Sequence, residues 1–151
     1  MDTFIRFAAD GTLVLLAAIS VPIIVWKLRR RIWLNGPVVV MAGLTALFAG
    51  KLMSLLYQPE LARPFLQQGL EPGATYIDNP GFPSDHVLLA MVLVIAVYAL
   101  TRNRLLAGIL VLIVIVMSVG RVVALVHTPL DVIGGAVAAL LGAFWYRKLT
   151  K

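Results

Sequence analysis

The chain contains no cysteine. That excludes disulfides, thiolate nucleophiles and cysteine metal sites. Charge is scarce: 13% of its 151 residues are Asp, Glu, Lys or Arg, against roughly a quarter in a soluble domain. Histidine is scarcer still, with His86 and His127 alone. No His-Glu-x-x-His or comparable ligand spacing occurs, so neither a metal nor another cofactor is expected. Internal repeats and low-complexity segments are lacking too. What fills the chain instead is apolar, with 61% of residues hydrophobic. One domain spanning 1–151 cannot hide that much apolar surface inside itself, so lipid must cover much of it.

Five apolar runs approach the roughly 20 residues that cross a bilayer core. They are about Gly11 to Trp26, Pro37 to Tyr57, Ser84 to Leu100, Leu105 to Val119 and Pro129 to Tyr146. The runs are too continuous for the alternation of a membrane β-strand. The expected fold is therefore all-α, a polytopic membrane bundle of five transmembrane helices. Pro37 and Pro129 are read as helix starts, and Pro22 as a kink in the first span. Gly134, Gly135, Ala139 and Gly142 give the last helix a small-residue stripe for close packing. The first run has its positive cluster after it rather than before it, unlike a cleaved signal peptide. Residues 58–83 form a long loop, and such loops are often functional.

Five spans put the termini on opposite sides. One side carries Lys27, Arg29, Arg30, Arg31, Arg102, Arg104, Arg147, Lys148 and Lys151 and no acid; the other carries all seven acids. Positive-inside counting places the basic side in the cytoplasm. Trp26, Trp33 and Trp145 fall near that side, as interfacial anchors should. The N-terminus and the long loop are then extracytoplasmic and the C-terminus cytoplasmic. The net charge of +6 is thereby explained by orientation and anionic lipid, not by nucleic acid.

Ionisable residues are costly in such a bundle and default to functional hypotheses. Ser84-Asp85-His86 opens the third span. Ser84 as N-cap and Asp85 as dipole complement account for two of the three. His86 has no capping role, and the same helix start is a ready phosphate site. Thr128, Pro129 and Asp131 look like a capping box with a first-turn proline. Asp131 also stands near enough to His127 to orient its imidazole, as a nucleophile requires. Arg63 in the loop, Arg121 at the end of the fourth span and Lys51 inside the second add three cations on that same side. Imidazoles with cations suit a phosphoryl group, because Arg forks match phosphate oxygens and positive charge stabilises the transferring group.

The order of these pieces resembles the type 2 phosphatidic acid phosphatase superfamily. Its motifs are a Lys followed by Arg-Pro, then Pro-Ser-x-His, then Ser-Arg-x5-His-x3-Asp. This chain has Lys51 and Arg63-Pro64, Pro83-Ser84-Asp85-His86, and Gly120-Arg121 with His127 and Asp131. Three departures stand out. Gly120 replaces the usual serine, Asp85 the commoner glycine, and Lys51 lies twelve residues before Arg63 where seven is usual. Gly81-Phe82-Pro83-Ser84-Asp85-His86 and Arg63-Pro64-Phe65 are similar to the bacitracin-resistance type of undecaprenyl-diphosphate phosphatase.

The resemblance implies a metal-independent lipid phosphatase of a bacterial plasma membrane, recycling a lipid carrier for cell-wall biogenesis. His127 is the implied nucleophile, Asp131 its orienter and His86 the acid. Arg63, Arg121, Ser84, Asp85 and Lys51 are the implied phosphate contacts. Within the superfamily, phosphatidylglycerophosphate, phosphatidate or lipid A are alternative substrates, and phosphotransfer to another lipid is an alternative reaction. Outside catalysis, a degenerate binding member or a small membrane transport protein are the competing readings. A transport path predicts ionisable residues throughout the bilayer depth, whereas here they gather at one end.

Overall fold

A computed structural model describes residues 3–57, 63–79 and 81–149. Six helices occur among them. Helix α1 is Thr3–Leu28, α2 is Ile32–Leu56 and α3 is the short Pro64–Gln67. They are followed by α4, Asp85–Thr101, α5, Arg104–Val123, and α6, Pro129–Lys148, whose last turns tighten to a 3-10 helix. Helices α1, α2, α5 and α6 are long and apolar enough to cross a membrane. Their outward faces carry Val14, Phe48, Leu112, Ile133 and Leu141, all exposed. A water-soluble bundle would turn such side chains inward, so these faces meet lipid. The chain is an integral membrane protein with an all-helical fold.

Helix α4 has 17 residues, about 26 Å of helix, and falls just short of the others. It is the hub of the bundle, packing on α1, α2, α5 and α6. Val87, Val94 and Val97 on α4 meet Leu16 of α1 and Leu110, Val114 and Met117 of α5 in the main core. The α6 stripe does what small residues predict. Gly134, Gly135, Ala139 and Gly142 are all buried. A Cβ on Gly135 would lie 2.5 Å from the Ser84 carbonyl oxygen, so only glycine lets the start of α4 sit against α6.

Several expected boundaries move. Helix α2 begins at Ile32, so Pro37 lies inside it and not at its start. Its missing N–H costs the backbone bond to the Trp33 carbonyl, in the first turn of the helix. Helix α1 begins at Thr3, eight residues before the apolar run, and carries Arg6 and Asp10 within it. It continues through Pro22. Its irregularity lies elsewhere, in a π-turn over Phe7–Gly11. Helix α5 extends to Val123, so Arg121 sits in its last turn.

Candidate functional site

Five segments converge at one end of the bundle. Helix α4 brings Ser84, Asp85 and His86; the end of α5 brings Arg121; the α5–α6 turn brings His127; α6 brings Asp131; and the loop brings Arg63. The Ser84 N–H donates to the Asp131 carbonyl oxygen at 2.9 Å, which locks the starts of α4 and α6 together. Arg63, His86, Arg121 and His127 line one narrow cleft with Ile77, Asn79, Gly81, Pro83 and Asp85.

The α6 start is built as its sequence suggests. Thr128 Oγ1 accepts from the Asp131 N–H at 3.3 Å, and Asp131 Oδ2 accepts from the Thr128 N–H at 2.7 Å. This is a full capping box with Pro129 in the first turn. The same Oδ2 lies 3.4 Å from His127 Nδ1. That contact is an electrostatic approach without hydrogen-bond geometry, since Nδ1 has no bonded partner. Asp131 thus has two duties, one structural and one toward the imidazole. With Nδ1 facing the carboxylate, Nε2 is the nitrogen left for chemistry. Burial lowers the His127 pKa most, the Asp131 carboxylate opposes it, and Arg121 and Arg63 push it further down. The imidazole is therefore held neutral.

Ser84 departs from expectation. It occupies the N-cap position, but its side chain makes no capping bond. Its Oγ is buried without a partner. Its own N–H is drawn toward α6, to the Asp131 carbonyl. Asp85 is exposed in the first turn of α4.

Arg121 is 1% exposed. Its Nη1 donates to Asp10 Oδ1 at 2.7 Å and lies 3.4 Å from His86 Nε2. Its Nε is buried with no partner. Asp10 carries no motif in the sequence and is separated from Arg121 by 111 positions. The one available signal was an acid at the start of an apolar run. Its second oxygen accepts from the Thr75 N–H at 2.9 Å.

Arg63 is also buried, but its donors are used. Nη1 donates to the Val126 carbonyl at 2.5 Å, Nη2 to the Ile77 carbonyl at 2.9 Å and Asn79 Oδ1 at 2.6 Å, and Nε to the Asn79 carbonyl at 3.3 Å. Its guanidinium lies 5.4 Å over the Tyr76 ring. Burial lowers the Arg63 pKa, with Asp131 and Tyr76 opposing. Arg63 is thus the staple of the 63–79 loop as well as a cleft wall. Asn79, which the sequence did not single out, holds Arg63; its Oδ1 also accepts from the Gly81 N–H at 3.0 Å.

Lys51 is not in this cleft. It is exposed and lines an adjoining one of about 240 Å3 with Gly50, Ser54 and Phe82. Asn79, Pro83 and Asp85 form the wall between the two clefts. Among the described residues, no three His, Cys, Asp or Glu side chains converge as metal ligands would.

No curated protein and no solved structure matches the chain. A family model described as the PAP2 superfamily matches residues 38–151, which include every predicted site residue. The chain belongs to the PAP2 superfamily.

Proposed function

We propose that this protein is a membrane lipid phosphatase that hydrolyses a polyprenyl diphosphate, undecaprenyl diphosphate in the preferred case, to the monophosphate. Family membership supports the coarse reading, a phosphatase of the lipid-phosphatase type in a membrane. One observation supports the site most directly. Nε of the cleft residue Arg121, and Oγ of Ser84 between the cleft residues Pro83 and Asp85 in sequence, are buried with no partner. Each orphaned donor costs about 1–3 kcal/mol in the folded protein. An anion with several oxygens is the ligand that would offset this, and charge-assisted bonds to it are the stronger kind.

The arrangement supports the following reaction. His127 Nε2 attacks the terminal phosphorus and forms an N–P bond. The bridging P–O bond breaks, and its electron pair goes to the departing lipid phosphate. Protonated His86 donates its proton to that oxygen. Asp131 offsets the positive charge that develops on the His127 imidazole. Water then attacks phosphorus with neutral His86 as base, the N–P bond breaks, and inorganic phosphate leaves. Arg121, Ser84 and the N–H groups of the α4 start hold the phosphoryl oxygens, while Arg63, its donors engaged by Val126, Ile77 and Asn79, contributes positive charge. Positioning and charge stabilisation are the main catalytic demands of phosphoryl transfer. No metal enters these steps.

The two adjoining clefts favour a diphosphate. Attack in the histidine cleft leaves the second phosphate room beside Lys51, across the Asp85 wall. A monoester has no use for that second cation. Counting α4 as a crossing helix makes five spans. With the basic ends of the helices in the cytoplasm, the site and the N-terminus are extracytoplasmic. Residues 1–151 then act as one catalytic domain of a bacterial plasma membrane.

The test is phosphate release by detergent-purified protein from undecaprenyl diphosphate, phosphatidate, phosphatidylglycerophosphate and lipid A, with excess chelator. Chelator-resistant release, fastest from the diphosphate, is expected. Preference for a monoester would move the substrate to a glycerophospholipid. No release from any of them would refute the catalytic reading.

A further inference from the structure

The family match begins at residue 38, yet α1, which precedes it, sends a carboxylate to the site. Three local features deliver it. The π-turn over Phe7–Gly11 widens the helix at this point, and such turns often mark functional positions. Thr12 Oγ1 braces the turn by donating to the Ala8 carbonyl at 2.7 Å. Gly120, lacking a side chain, lets the backbone of Ala8 and Ala9 press directly on α5. Asp10 then reaches Arg121 with one oxygen and the Thr75 N–H with the other.

We propose that Asp10 is a positioning residue for the phosphate clamp, fixing the Arg121 guanidinium and the 63–79 loop in one register. This rests on the phosphatase reading of the cleft. A guanidinium as buried as Arg121 requires a counter-charge. Asp10 supplies it through Nη1 and leaves the buried Nε unpaired, a donor that a phosphoryl oxygen would satisfy. Through Thr75 the same carboxylate holds the strand of loop whose Ile77 and Asn79 grip Arg63. Both arginines are thereby referred to one rigid helix. Asp10 meets Arg121 from the α1 side, and the same Oδ1 lies 3.9 Å from His86 Nε2. Preorganised geometry of this kind matters because a misplacement of about 1 Å can cost about 100-fold in rate.

The variant is Asp10→Asn. An amide oxygen can accept from Arg121 or from Thr75 but cannot match a carboxylate at both. Two readouts are needed. The first is kcat and KM on the lipid diphosphate, normalised to folded protein. A fall in kcat of about 10- to 100-fold is expected, with no rise in KM, because removing a negative charge near Arg121 does not weaken anion binding. The second is hydrogen exchange of the segment around Thr75, expected to accelerate in the variant whether or not substrate is present. A kcat within about twofold of wild type, a rise in KM alone, or unchanged exchange at Thr75 would overturn the assignment. If Asp10→Asn fails to fold, Asp10→Glu keeps the charge at the wrong reach, and the same drop in kcat is expected of it. If wild type cleaves no lipid phosphate, the phosphatase reading fails, and the exchange experiment alone still decides whether Asp10 ties Arg121's helix neighbour to the loop.

Discussion

Replacing Gly120 by serine restores the hydroxyl that the superfamily pattern carries beside its arginine. On sequence grounds this should help, by adding a contact to phosphate. The packing says the opposite. A Cβ at residue 120 would stand 2.8 Å from Ala8 C and from Ala9 N, and 3.1 Å from Ala8 Cβ. Ordinary carbon contacts lie at about 3.5–4.0 Å, so α1 must retreat by about 0.7 Å or more. Both close atoms at 2.8 Å are backbone and cannot rotate away. The Asp10–Arg121 bond is 2.7 Å; stretched by that amount it leaves the range of about 2.7–2.9 Å for charge-assisted bonds. Overpacking of this size costs about 1–3 kcal/mol of stability, and the loosened arginine costs about 10-fold or more in kcat. Thermal unfolding in detergent and phosphate release per folded molecule measure the two losses. A Gly120→Ser protein as stable as wild type and equally or more active would refute the reasoning.

Two further outcomes follow from single side chains. Ser84→Ala removes a buried hydroxyl that bonds nothing, so stability should hold or rise slightly, while kcat/KM falls about 10-fold from the lost contact to phosphoryl oxygen; unchanged kinetics would remove Ser84 from the site. His127 has its pKa lowered by burial, so it stays unprotonated below the ordinary histidine value of about 6.5. The acid limb that His127 imposes on kcat/KM should therefore fall below that pH. The linked stability has the same sign. The unfolded chain takes up the proton first, so stability declines as pH falls below about 6.5. An acid limb centred above pH 7 in the kcat/KM profile would contradict this.

Much of the bundle was legible because lipid imposes a severe demand on composition. A run such as Leu105 to Val119 has no other stable use, and it became α5. The ends were less legible. Apolarity marks what lipid touches, whereas helices continue past it wherever polar groups can reach water or a partner. Thus α1 runs back through Arg6 and Asp10 to Thr3, and α2 starts five residues before Pro37. Spacing carried the His127–Asp131 pair because both lie on one turn. It could not reveal Asp10, whose partner is brought to it by helix packing alone. It also could not foresee that Arg63 would bind three loop acceptors and the Val126 carbonyl, or that Ser84 would leave its capping duty unfilled. Gly120 read as a missing hydroxyl in the sequence; in the fold it is the space that α1 occupies.

The central claim is that His127 carries the phosphoryl group. It is tested most directly by rapid quenching at alkaline pH during turnover of the lipid diphosphate, followed by mass spectrometry of the peptide spanning 122–130. A phosphoryl adduct on His127, labile to acid and absent from His127→Ala, which should also release no phosphate, is the predicted result. Sustained release by His127→Ala, or a phosphoryl group trapped on a different residue, would contradict it.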